Sequence, residues 1–211
     1  MQLKWTRRTL LERCAAFGAL SLAIPTTFSQ VAEAWEAAEK KTLSPTPHCE
    51  LGPFYKREAP NSAQLRNEKD AGMPLALSGV VYSQNGEILI NAKVEIWQTD
   101  HFGHYDIEGY RFRTMLSPDA KDRYMVDSVM PGHYPDRVCQ HVHYLVTAPG
   151  HKPLVTQLYF GTDPVFEGDP AKNFRRDPLV SSIELVRPVT IKGDPKTMVA
   201  AVNFDLVLEK R

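Results

Sequence analysis

Lys93-Val94-Glu95-Ile96-Trp97-Gln98 alternates polar and apolar side chains as far as Ile96. That is the two-residue period of a β-strand with one face buried and the other solvated. Upstream, residues 80–82 read as a strand, Asn85-Gly86 as a hairpin turn and residues 88–90 as the return. Downstream, residues 112–116 and 124–129 flank the turn signal Pro118-Asp119-Ala120-Lys121-Asp122, and Pro131-Gly132 breaks the chain again. Residues 141–146 and 154–160 alternate on either side of Ala148-Pro149-Gly150-His151-Lys152-Pro153. A long loop over residues 163–178 follows, and residues 182–185 and 199–208 read as closing strands. Short strands separated by turn residues predict an all-β fold: an antiparallel β-sandwich with an extended N-terminal arm and long loops.

The totals agree with one folded domain. The chain has 211 residues, 43% of them hydrophobic, and 25 basic residues balance 25 acidic ones. That balance gives no electrostatic footprint for a nucleic-acid partner. The first residues differ from the rest. Thr6-Arg7-Arg8-Thr9-Leu10-Leu11 precedes an apolar run over residues 14–24, shorter than the ~20 residues a bilayer span requires. A charged start, a short apolar stretch and then small residues read as an export signal, and the arginine pair is of the twin-arginine type. Glu12 and Arg13 leave an ordinary amphipathic helix as the alternative. Cleavage after Ala32-Glu33-Ala34 would divide the chain into a signal over residues 1–34, an arm over 35–76 and a catalytic β-sandwich over 77–211. The expected location is then periplasmic or secreted, with no membrane anchor after processing. The arm carries Gly52-Pro53-Phe54-Tyr55, an aromatic pair able to pin it across the domain. Cys49 and Cys139 would remain after processing; an oxidising compartment would let them pair, but no spacing rule links them.

His141-Val142-His143 carries the chemistry. On a strand, residues i and i+2 project to one face with Cβ atoms roughly 6–7 Å apart, which suits two ligands of one metal. The pattern alone is weak, because two histidines on a strand face are more often a solvated pair. The neighbours add Tyr134, in the rigid Pro131-Gly132-His133-Tyr134-Pro135 turn, and Tyr105, in Gly103-His104-Tyr105-Asp106. Two phenols and two imidazoles form an O,O,N,N set without thiolate. Ionising phenols whose ordinary pKa is ~10 calls for a hard, highly charged ion, and Fe(III) is the natural candidate.

The order of motifs resembles the intradiol ring-cleavage dioxygenases, the family of protocatechuate 3,4-dioxygenase and catechol 1,2-dioxygenase. The resemblance runs over residues 52–160. It comprises Gly52-Pro53-Phe54-Tyr55, Leu77-Ser78-Gly79-Val80-Val81, Val94-Glu95-Ile96-Trp97-Gln98, Gly103-His104-Tyr105, Pro131-Gly132-His133-Tyr134-Pro135, His141-Val142-His143 and Thr156-Gln157-Leu158-Tyr159-Phe160. It implies Fe(III) held by Tyr105 and His141 equatorially and by Tyr134 and His143 axially. A catechol-type substrate would displace Tyr134 and be opened by O2 between its hydroxylated carbons to a cis,cis-muconate-type diacid. It also implies roles for Gln157 and Arg137 beside the substrate, the arginine stabilising negative charge on the ring; related chains assemble as oligomers, and working alone, as a homo-oligomer or as a hetero-oligomer all stay open for this one. Two departures bear on pocket shape. Arg137 stands four residues before the first histidine, where the family has its arginine three before and followed by proline. Asp127-Ser128 replaces a common Arg-Thr.

Two other readings compete. A secreted transthyretin-like β-sandwich binding module would explain the strands and the export signal, but not the four donors. A different metal-dependent enzyme, an Fe(II) extradiol oxygenase or a zinc hydrolase, would want a carboxylate beside the histidines, and Asp136 is nearest in sequence.

Overall fold

The computed structural model describes residues 42–117, 123–135, 137–195 and 197–211. The expected signal, the turn at residues 118–122 and Asp136 lie outside the described residues. Ten strands run in chain order: β1 (Pro74–Ser83), β2 (Lys93–Trp97), β3 (Arg113–Leu116), β4 (Arg123–Val129), β5 (His141–Thr147), β6 (Leu154–Phe160), β7 (Val186–Arg187), β8 (Thr190–Lys192), β9 (Val199–Asn203) and β10 (Leu206–Leu208).

They form two five-stranded sheets. In the first, β1 pairs antiparallel with β4 and parallel with β9 and β10. In the second the order is β3-β2-β5-β6-β7, antiparallel except for the last pair. The sandwich is as expected, with parallel edges that alternation alone does not reveal. Leu75 and Leu77 of β1, Val94 and Ile96 of β2, Val142, Tyr144 and Val146 of β5, and Leu158 of β6 all belong to one buried core. The even-numbered residues of β2 and β5 thus face the other sheet, and the odd-numbered ones are left for the opposite face.

That opposite face is exposed at Lys93 but closed over towards Trp97, where the alternation argument for β2 expected solvent. Trp97 is 2% exposed and His143 likewise, because the arm covers them. Tyr55 tilts against Trp97 at 5.1 Å and donates its hydroxyl hydrogen bond to Glu95 at 2.9 Å. Backbone bonds from Thr46 to Val207, Cys49 to Val155 and Leu65 to Asp127 stitch the arm to both sheets. The Arg66–Asp127 ion pair is partly exposed and contributes about 0.5 kcal/mol. The aromatic contacts, at about 1 kcal/mol each beyond their buried area, hold the arm more firmly.

Other expectations are corrected. Residues 88–90 return only as a single bridge from Ile88 to Tyr82. Residues 182–185 are not a strand: Ile183–Leu185 is a 3-10 turn, because the Ser182 hydroxyl caps the Glu184 amide and starts a helical turn. β3 and β4 belong to different sheets. Residues 163–178 contain two 3-10 turns and a one-turn helix, α1 (Pro170–Asn173). Cys49 and Cys139 are free thiols. Among the described residues no helix is long and apolar enough to cross a membrane.

Candidate metal centre

Strand register assembles half of the site. Arg113, Trp97, His143 and Gln157 lie opposite one another across β3, β2, β5 and β6. One row along, His141 pairs with Tyr159. Because i and i+2 share a face, His141 joins His143, and Tyr159 joins Gln157. The two imidazoles lie 4.9 Å apart, and Trp97 stacks on His143 at 4.9 Å with planes 10° apart.

Loops bring the phenols. Tyr105 follows β2 and Tyr134 precedes β5, and their rings meet edge to face at 5.7 Å. Two glycines make this approach feasible. A Cβ on Gly103 would lie 2.0 Å from the His133 carbonyl oxygen, and one on Gly132 would lie 2.3 Å from that of His101. The loops therefore cross backbone against backbone, joined by a hydrogen bond from the Gly132 amide to the Asp100 carbonyl. Phe54 of the arm stacks on Tyr105 at 4.3 Å. Arg113 clamps both, donating to the Phe54 and Asp106 carbonyls.

The four expected ligands thus converge. Tyr134 Oη lies 3.4 Å from His141 Nε2. His141 Nδ1 is 2.8 Å from the Cys139 carbonyl, which can only accept. Nδ1 therefore carries the proton, and the Nε2 lone pair faces the phenols. Two buried carboxylates fix the approach to β5: Asp177 accepts from the Cys139 amide and Asp163 from the Gln140 amide. Burial pulls the His141 imidazole down to about 4, with help from Arg137, and holds His143 well below its ordinary range. Burial also pushes the Tyr105 phenol upward, with the neighbouring Tyr134 adding to the effect.

This donor set fits a hard trivalent cation. The Tyr105 hydroxyl and His143 Nδ1 are buried without a hydrogen-bond partner, a cost that coordination or a bound polar group would offset. A buried phenol held neutral by its surroundings ionises only against strong positive charge. Among the described residues no three His, Cys, Asp or Glu side chains group as a metal site.

Arg137 and Gln157 are in the same place. The Arg137 side chain is 8% exposed, not on the surface. It donates from Nη1 to His141 Nε2 at 3.2 Å and from Nη2 to Gln157 Oε1 at 2.8 Å. A cavity of about 200 Å³ opens beside them, lined by Gly52, Pro53, Phe54, Tyr134, His143 and Leu179 among others. Of the phenols, Tyr134 faces this cavity while Tyr105 sits behind Phe54. The sequence reading assigned no role to Arg113, Asp163, Asp177 or Tyr159. Only Tyr159 carried a signal, its two-residue spacing from Gln157.

Neutral buried imidazoles make the metal-free fold pH-sensitive. Between pH 6.5 and about 4 the unfolded chain takes up a proton that folded His141 refuses. Stability is therefore intact above pH 6.5 and lost as pH falls through that window, by a few kcal/mol. Urea midpoints of chelator-treated protein at pH 7.5, 5.5 and 4.5 are expected to fall in that order, with a shallower slope in His141→Gln.

The chain is similar to several known proteins. The family model described as "Dioxygenase" matches residues 51–210. Catechol 1,2-dioxygenase of Acinetobacter baylyi is 30% identical over 194 residues, covering 78% of this chain and 62% of its own. Hydroxyquinol 1,2-dioxygenase of Corynebacterium glutamicum is 26% identical, covering 83% and 65%. The chain thus spans less than two thirds of the length of these relatives. Among solved structures, the dioxygenase domain of a carbohydrate-binding fusion protein from Streptomyces sp. SirexAA-E has a TM-score of 0.67 at 29% identity, covering 80% of this chain and all of that one. Catechol 1,2-dioxygenase of Acinetobacter sp. ADP1 has a TM-score of 0.65 at 28% identity, covering 86% and 68%. A β-sandwich whose second sheet and crossing loops gather two tyrosines and two histidines, matched by that family model over most of its length, belongs to the intradiol ring-cleavage dioxygenases.

Proposed function

We propose that the chain is an Fe(III)-dependent intradiol dioxygenase that opens a catechol-type ring between its hydroxylated carbons with O2, giving a cis,cis-muconate-type diacid. The observation that carries this reading is the convergence of Tyr105, Tyr134, His141 and His143, with His141 Nε2 turned inward, at the edge of a cavity. These four residues would hold the metal. When bound, Fe(III) supplies Lewis acidity that lets a catechol ionise and react with O2 without an external reductant.

The protein's own groups do the rest. Tyr134 Oη, on the cavity wall, receives the proton of a substrate hydroxyl. Arg137 stabilises negative charge on the ring from a guanidinium held against Gln157. Phe54, Pro53 and Leu179 line the cavity and keep water from the reacting ring. Protein purified from an iron-supplemented host is expected to hold close to one ferric ion per chain and to be red-brown from tyrosinate charge transfer. A colourless, iron-free and stable protein would sink the proposal. Export through the twin-arginine-type signal is part of the same proposal, supported by Thr6-Arg7-Arg8-Thr9-Leu10-Leu11. An intact Met1 on exported protein would refute the cleavage.

A further inference from the structure

We infer that the Tyr159 hydroxyl is the positioning group that aims the Arg137 guanidinium and the Gln157 amide at the cavity. This rests on the function proposed above, and it extends it to Tyr159, a β6 residue cross-strand from His141.

The geometry around this oxygen is a three-way junction. Tyr159 Oη lies 2.7 Å from Gln157 Oε1, 3.0 Å from Arg137 Nη2 and 3.1 Å from the Leu179 carbonyl. A phenol has one proton to give and lone pairs to accept with. It accepts from Arg137 and donates to Gln157 Oε1, its nearer acceptor, with the Leu179 carbonyl as the alternative. Gln157 cannot flip to satisfy another arrangement. Its Nε2 donates to the Glu50 carbonyl at 3.0 Å, so its Oε1 must face Arg137 and Tyr159. Two acceptors on one Nη2 fix the rotation of a planar guanidinium as well as its position.

The site needs such a lock because the hydrogen bond from Arg137 Nη1 goes to His141 Nε2, an atom the metal would take. Arg137 Nε has no hydrogen-bond partner, and the nearest carboxylate, Asp177, stands 4.0 Å away. No proline follows it to stiffen the backbone. Tyr159 itself is immobile: it is fully buried in β6, cross-strand from His141, with the two rings 6.1 Å apart. A rigid strand residue thereby orients an arginine that a loop delivers.

The test uses the iron-loaded full chain and four proteins: parent, Tyr159→Phe, Arg137→Met and the double variant. Tyr159→Phe removes one oxygen and keeps the packing ring. It is expected to lower kcat on catechol about ten-fold, with KM within about two-fold and iron content unchanged. In the Arg137→Met background the same substitution is expected to cost less than about two-fold. An equal loss in both backgrounds, or no loss in either, would overturn the inference. A second readout is independent of turnover. In nitrogen-15 NMR of the metal-free protein, the Arg137 Nη–H signals are expected to be resolved in the parent and merged by rotation in Tyr159→Phe. Resolved signals in both would overturn it too. If the parent opens no catechol, the function reading fails, while the NMR comparison still decides whether Tyr159 locks the guanidinium.

Discussion

Tyr105→Phe is expected to leave the sandwich folded while iron falls below about a tenth of an ion per chain and turnover drops at least ~1000-fold. The ring of Tyr105 packs flat on Phe54, and phenylalanine preserves that contact. Only the oxygen goes, and it is a buried oxygen with no hydrogen-bond partner. Its removal costs the fold nothing in hydrogen bonding and would cost the metal one of its four proposed ligands. Tyr144→Phe is the matched control. Tyr144 is likewise buried with an unpartnered hydroxyl, but it lies on the other face of β5, in the core. There the same chemical change should leave iron and turnover intact and change stability by no more than about 1 kcal/mol. Metal analysis and oxygen uptake on the two variants separate a ligand from a packing tyrosine. Full turnover in Tyr105→Phe would remove it from the ligand set.

Gly132→Ala is expected to have an effect of comparable size by a different route. The added methyl would lie 2.3 Å from the His101 carbonyl oxygen and 2.4 Å from the Gly103 amide nitrogen, both backbone atoms that no side-chain rotation can clear. The loops must separate, at a cost of about 3 kcal/mol in stability. Separation also pulls Tyr134 away from Tyr105, so iron affinity should fall together with the thermal midpoint. Gly86→Ala is the informative comparison. Gly86 has positive φ, as do Gly103 and others, but nothing lies near its missing side chain. It should cost only the ~1 kcal/mol of a left-handed turn and leave the iron site alone.

These variants show what was legible in the sequence and what was not. The alternation of residues 93–98 and 141–146 identified the strands of the site-bearing sheet, because a two-residue period is a local property. The same locality made His141 and His143 readable as a pair. It failed where a local pattern meets a covering element. The face of β2 carrying Trp97 looked solvated because nothing in six residues says that the arm will lie over it. It also failed at residues 182–185, where one capping hydroxyl turned an alternating Ser-Ile-Glu-Leu run into a 3-10 turn. Tyr105 and Tyr134 were readable only through motif order, since what brings them together is two loops crossing at glycines. A glycine's reason is the neighbour it admits, and that neighbour is known only once the chain has folded. Arg137 stood one residue out of the family's register; three buried partners, Gln157, Tyr159 and His141, bring it into the site all the same.

The central claim is that this site opens a catechol between its two oxygens. The most direct measurement is product analysis after the iron-loaded chain turns over catechol under oxygen-18 gas. The expected product is cis,cis-muconate carrying oxygen-18 in its carboxylates, with one O2 consumed per ring. A yellow 2-hydroxymuconic semialdehyde, the mark of cleavage outside the diol, or no oxygen uptake by protein holding a full ferric ion, would contradict it.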